Sequence, residues 1–140
     1  MGVRIISVRN VQNFVVTFPD IPEAITQGEE ITDALQQAID CLEEAIAGRI
    51  RRNESLPEAS AIESEYYAVA LPAQTAAKAA LYLAIRQARI SKVELAKRLH
   101  CDEKEIRRML NPRHASKLSR LETALEALGQ QLVVGMKESV

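Results

Sequence analysis

A chain of 140 residues with 47% hydrophobic and 26% charged side chains has the composition of a folded globular protein, long enough for one domain or two small ones. No apolar run approaches the roughly 20 residues of a membrane span, and the opening MGVRIISVRN lacks the core and cleavage site of a secretory signal, so no membrane partner and a cytoplasmic location are expected. The net charge of −1 hides a division: residues 1–72 hold five Lys/Arg against twelve Asp/Glu, and residues 73–140 hold thirteen against seven.

The acidic half begins with Val3–Val8, a mixture of β-branched and polar residues, and a turn at Asn10-Val11-Gln12-Asn13. Phe14, Val16 and Phe18 alternate with Val15 and Thr17 as in a half-buried strand, which completes a hairpin. Pro19 and Pro22 stop that strand because proline cannot donate to a ladder. Ala24–Gln27 suits a short third strand before Gly28. From Glu29 the period becomes helical, with Ile31, Leu35, Ala38, Ile39, Leu42, Ala45 and Ile46 on one stripe. Acids at Glu29, Glu30 and Asp33 and bases at Arg49, Arg51 and Arg52 suit the two ends of its dipole, and Asn53 is the expected terminator. ESLPEAS reads as a loop, and Ser64–Leu71 (SEYYAVAL) as a strand that rejoins the sheet. The expected fold class is therefore α+β, with one helix packed on a small antiparallel sheet, followed by an all-α domain.

Pro72 marks the boundary between expected domains 1–72 and 73–140, with no Gly- or Ser-rich linker. An Ala-rich helix over Ala73–Ala88 shows Leu81, Ala84, Ile85 and Ala88 on one side. Ser91 and Glu94 have capping-box spacing, and Val93, Leu95, Ala96 and Leu99 give a short apolar face. His100-Cys101 breaks the pattern, and Asp102 with Glu105 opens a second short helix with Ile106, Met109 and Leu110 inward. Two short helices, a tight turn and a small Ala96 at the crossing describe a helix-turn-helix. Two such helices also occur in plain bundles, but the basic charge of this half suits double-stranded DNA.

Lys104, Arg107 and Arg108 fall outside the apolar stripe of the second helix, where side chains reach the major groove. Lys104 and Arg107 are the candidates for base contacts, with Glu103 accepting from cytosine. Lys92, Arg108, Arg113, His114 and Lys117 are the candidates for phosphate. Asn111-Pro112 forces a loop, Ser116 is the expected cap of a last helix, and Leu118, Leu121, Ala124, Leu125 and Leu128 face inward until Gly129. Leu132–Val134 in the tail suits either a strand or a dimer contact. One helix-turn-helix reads few base pairs, so a homodimer or larger even oligomer on an inverted repeat is expected.

Phe18-Pro19-Asp20-Ile21-Pro22, Thr26-Gln27-Gly28, Ala34, Ala38 and Pro57 make the N-terminal half resemble the HicB-type antitoxins of bacterial type II toxin–antitoxin pairs. The departure is Glu23-Ala24, where that family commonly has Gly-Cys. Ser91–Gly129 independently resembles the Xre/Cro-like helix-turn-helix carried by one branch of the family, and together the two resemblances cover nearly the whole chain. They imply a partner, a HicA-type mRNA-cleaving toxin bound by residues 1–72, and repression of the protein's own operon through operator DNA. Asp20 and Glu23 are the candidate toxin-binding residues. The resemblance also implies an N-terminal fold similar to a truncated ribonuclease H, an enzyme fold that needs strand carboxylates for two cations. Val3–Val8 and Phe14–Phe18 carry none, and SEYYAVAL has only Glu65 at its start. His100 and His114 lack a paired nucleophile or carboxylate, and Cys41 and Cys101 are far apart with no metal spacing, so no catalytic residue, metal or cofactor is expected. A free-standing transcriptional regulator with a sensing N-terminal domain is the alternative. An RNA-binding protein is disfavoured by only five aromatic residues and no stacking motif.

Overall fold

The computed structural model describes residues 2–7, 14–56 and 67–136, and within them the protein is α+β. An antiparallel sheet carries a long helix, and four more helices follow among the described residues. Strands β1 (Gly2–Ser7), β2 (Phe14–Thr17), β3 (Ile25–Gly28) and β4 (Tyr67–Ala68) run in the order β3-β2-β1-β4. Ile5 pairs with Val16 across β1 and β2, and Val16 with Thr26 across β2 and β3. The expected turn at residues 10–13, the loop from Pro57 and the start of SEYYAVAL lie outside the described residues.

Proline shapes the connection between β2 and β3. Ile21 N–H donates to Phe18 O and Ala24 N–H to Ile21 O, so two turns follow back to back. Pro19 and Pro22 each occupy the second position of a turn, where a φ fixed near −65° is already correct. Phe18, Ile21 and Ala24 are buried, which roots this loop in the core. The third strand begins one residue later than expected because Ala24 is engaged in the second turn.

Helix α1 (Ile31–Arg51) packs on β3 and β2. Asp33 accepts from Glu29 N–H at 3.1 Å near its start, and Arg49 and Arg51 lie in its last turn. Asn53, at φ 55°, ends it with Asn53 N–H on Ile50 O and Glu54 N–H on Arg49 O, the paired bonds of a Schellman motif. Ala38, Leu42 and Ile46 of the expected stripe are buried, and Ala34 joins them in place of the residues at its N-terminal end. Ile31 is exposed, and Leu35 and Ile39 are only half-buried. Backbone proximity is the reason: a Cβ on Gly28 would lie 2.4 Å from Ala34 N, so only small residues fit where helix and strand meet.

The chain divides into two compact units, residues 1–75 and 76–140, with the division in the first turn of α2 (Ala73–Ala88). In the second unit α3 (Lys92–Arg98), α4 (Glu103–Leu110) and α5 (Leu118–Ala127) follow. Leu81, Leu95, Ile106, Met109 and Leu121 are among its large buried apolar side chains. Burial of this size contributes about 1.5–3 kcal/mol per side chain. Three residues expected inward are exposed instead, namely Val93, Leu118 and Ala88. Each sits at or near the end of a helix of 7–16 residues, where one turn of pattern does not fix the face. No helix among the described residues is long and apolar enough to cross a membrane.

Candidate nucleic-acid interface

The site is built on α3, a tight turn and α4. Ser91 Oγ accepts from Glu94 N–H at 3.0 Å, and Asp102 Oδ1 from Glu105 N–H at 2.9 Å, so both helices start on a side-chain cap. Between them His100 takes φ 54° while Cys101 N–H reaches Ala96 O and His100 N–H reaches Lys97 O. That Schellman ending reverses the chain within three residues, which is why α4 can pack directly on α3. Leu95 and Ala96 of α3 and Ile106, Met109 and Leu110 of α4 are buried.

Burying that face leaves Lys104, Arg107 and Arg108 exposed on α4. Glu103 is half-buried and accepts from Arg107 at 2.9 Å, an i,i+4 pair open to water that competes weakly with a better anion. Lys92 lies half-buried at the start of α3. Arg113 and His114 are exposed in the loop after α4, and Lys117 is exposed at the start of α5. Arg108, His114 and Lys117 come together with Arg120 around an open groove of about 440 Å³. Glu105 is its one carboxylate and is held by Arg120 at 2.7 Å. The groove thus gathers three of the expected phosphate ligands, while Lys104 and Arg107 lie on the helix surface beside it.

One cation was not expected. Lys78 is in register with Leu81, Tyr82 and Ile85 on α2, and it is fully buried. Its ammonium donates to Arg108 O and Asn111 O at 2.9 Å, to His114 O at 2.5 Å and to Ser116 Oγ at 2.8 Å. Burial pushes its pKa down to about 8, and the ring of oxygens acts in the opposite sense by favouring the charged donor. Ser116 therefore does not cap α5: the N-cap position is Lys117, with no side-chain cap, and the Ser116 hydroxyl faces Lys78. The signal was present in the sequence as a lysine at i, i+3, i+4 and i+7 spacing from apolar residues.

The two acids expected to meet a protein partner lie elsewhere. Asp20 and Glu23 occupy the third position of the two consecutive turns. Glu23 has ordinary negative φ, so the turn accommodates it without the glycine of the related pattern. Arg49 grips it with Nε on Oε1 at 2.6 Å and a second nitrogen on Oε2 at 3.0 Å, and also donates to Ser55 O. The Arg49 guanidinium holds the Glu23 carboxyl below the usual carboxylate range. Among the described residues no three His, Cys, Asp or Glu side chains are grouped to hold a metal ion.

Against this geometry, the family described as the HicB_like antitoxin of bacterial toxin-antitoxin system matches residues 3–80. The Antitoxin HicB of Escherichia coli (strain K12) is 37% identical over 123 residues, covering 88% of this chain and 89% of its own length. Antitoxin HicB 1 of Photorhabdus laumondii is 32% identical over 124 residues, 89% of this chain and 79% of that protein. The Antitoxin HicB of Pseudomonas fluorescens is 34% identical over 119 residues, 84% and 82% of the two chains.

Proposed function

The chain belongs to the HicB-like antitoxin family of bacterial toxin–antitoxin systems, a non-enzymatic family whose members have a cognate toxin, and from that premise we propose how its two parts divide the work. Residues 1–72 bind and neutralise a HicA-type mRNA-cleaving toxin. Their sheet and single helix resemble a truncated ribonuclease H whose cation-binding carboxylates are missing from the strands. Asp20 and Glu23, on the paired-turn loop, belong to the toxin-binding surface, and the excess of acids in this half steers a basic partner towards it.

Residues 73–140 bind operator DNA as a helix-turn-helix and repress the operon that encodes the pair. The observation that carries this reading is α4, which buries Ile106, Met109 and Leu110 and exposes Lys104, Arg107 and Arg108. Lys104 and Arg107, with Glu103, meet base edges. Lys92, Arg108, Arg113, His114 and Lys117 meet phosphate. Palindromic half-sites about one helical turn apart require two copies, so the working species is a homodimer or larger even oligomer in the cytoplasm. Val133, Val134 and Met136 are exposed and available for that association.

The test is coexpression with the small basic protein encoded beside this gene, followed by gel shifts on the promoter of the pair. A stable complex, loss of RNA cleavage and a shifted promoter fragment support the reading. A protein that copurifies with no neighbouring product, or leaves the promoter unshifted at low salt, refutes the corresponding half.

A further inference from the structure

The cationic loop after α4 has few backbone bonds of its own. Asn111 Oδ1 accepts from Arg113 N–H at 3.0 Å and Asn111 O from His114 N–H at 3.0 Å. Beyond those, three carbonyls and one hydroxyl converge on the buried end of Lys78. Arg108 O lies in the last turn of α4, where it accepts from the N–H of the cap residue Asn111 at 3.2 Å as well as from Lys78, and a cation there also suits the dipole. Asn111 O, His114 O and Ser116 Oγ belong to no regular element. An ammonium has three protons and here meets four acceptors, so one proton is shared and no donor is idle.

We propose that Lys78 is a positioning residue for DNA binding: its ammonium gathers the end of α4 and residues 111–116 around one point, setting the arrangement in which Arg113, His114 and Lys117 meet phosphate. The proposal rests on the DNA-binding reading above. Lys78 itself, fully buried, touches no DNA. Its role is to turn the loop carbonyls inward, away from a phosphate chain they would repel, and so leave exposed cations as the loop's outward charge. An apolar side chain of similar length would fill the space on α2 but remove the one donor that Arg108 O, Asn111 O, His114 O and Ser116 Oγ share, leaving Arg108 O and Asn111 O only their backbone partners.

The experiment compares full-length wild type, Lys78→Met and Ser116→Ala in three measurements. These are amide hydrogen exchange over residues 111–117 without DNA, affinity for a promoter duplex, and the salt dependence of that affinity. For Lys78→Met we expect exchange in the loop to accelerate at least tenfold while Leu95 and Leu121 remain protected. Affinity should fall about tenfold or more for every duplex sequence. The slope of log K against log salt should flatten by about 2, the loss of two or three phosphate contacts. Ser116→Ala, which removes one acceptor, should accelerate loop exchange by a smaller factor, and it decides the matter if the methionine variant does not fold. Unchanged loop exchange in a folded Lys78→Met or in Ser116→Ala overturns the clamp. Faster loop exchange with an unchanged salt slope overturns the positioning role, because a merely structural lysine lowers stability without altering phosphate contacts. A wild type that binds no duplex refutes the DNA reading instead, and with it the positioning role, while the exchange data still report on the clamp.

Discussion

Two glycine-to-alanine changes in the first unit should have opposite signs. At Gly28 the added Cβ would lie 2.4 Å from Ala34 N, 2.6 Å from Ala34 Cα and 3.0 Å from Ala34 Cβ. Ordinary contact begins at 3.4 Å, so α1 must retreat from β3 by about 1 Å. The atoms that block it are mostly backbone in a helix held by Ala34, Ala38, Leu42 and Ile46, and they have nowhere to swing. A gap of that size forfeits roughly a quarter to a half of each dispersion contact along the line. With overpacking costs of about 1–3 kcal/mol and sometimes more, Gly28→Ala should destabilise the first unit by about 3 kcal/mol. At Gly48, inside α1, the new Cβ meets Arg52 Nη1 at 2.9 Å. That atom ends an exposed flexible side chain paired with the equally exposed Glu54, and it can move aside. Alanine is favoured over glycine within a helix by about 1 kcal/mol, so Gly48→Ala should stabilise by about 0.5–1 kcal/mol. Urea titrations of the full-length variants, followed by the amide signals of Val16 and Leu42 with Leu95 and Leu121 as internal references, read both effects. With about 1–3 kcal/mol per molar urea, the Gly28→Ala midpoint should drop by roughly 1–3 M and the Gly48→Ala midpoint should rise. A loss below about 1 kcal/mol for Gly28→Ala, or equal losses for both, would refute the argument that backbone proximity requires small residues where Gly28 meets Ala34.

Replacing Arg107 with alanine should cost about 1–3 kcal/mol of operator binding and relax preference at one base position, whereas Lys117→Ala should weaken all duplexes alike and flatten the salt dependence; gel shifts across a salt series on operator and scrambled duplexes separate the two. Unchanged operator binding by a folded Lys104→Ala, Arg107→Ala double variant would sink the assignment of α4 to the major groove. His100 holds φ 54°, a conformation that glycine adopts without steric cost, so His100→Gly should stabilise the second unit by about 0.5–1 kcal/mol in thermal or urea unfolding, and a loss would contradict it. Burial pushes the Lys78 pKa down to about 8 from the ordinary 10.5, so the unfolded chain binds more protons between those values. Wild type should therefore gain stability relative to Lys78→Met as pH rises from 8 to 10.5, by at most about 3 kcal/mol, and urea midpoints taken at the two ends that move together would disprove it.

Local chemistry was enough to determine much of this protein. Proline spacing at Pro19 and Pro22 set the paired turns, Ser91 and Asp102 set two helix starts, and Asn53 and Gly129 set two helix ends, because each acts on backbone within a few residues. The α+β class and the cationic face of α4 were legible for the same reason: hydrophobic period and helix geometry place Lys104, Arg107 and Arg108 away from Ile106, Met109 and Leu110. What tertiary structure alone decided is which neighbour each face meets. Gly28 against Ala34 turned α1 onto its small residues and left Ile31 exposed, a choice that periodicity among equally apolar stripes does not make. Glu23 acquired Arg49 across 26 residues, Glu105 acquired Arg120 across 15, and Lys78 acquired acceptors 30 to 38 residues away. Pairings at that separation depend on how elements pack, and a buried lysine reads as an interruption in an alanine helix until the carbonyls that surround it are in place.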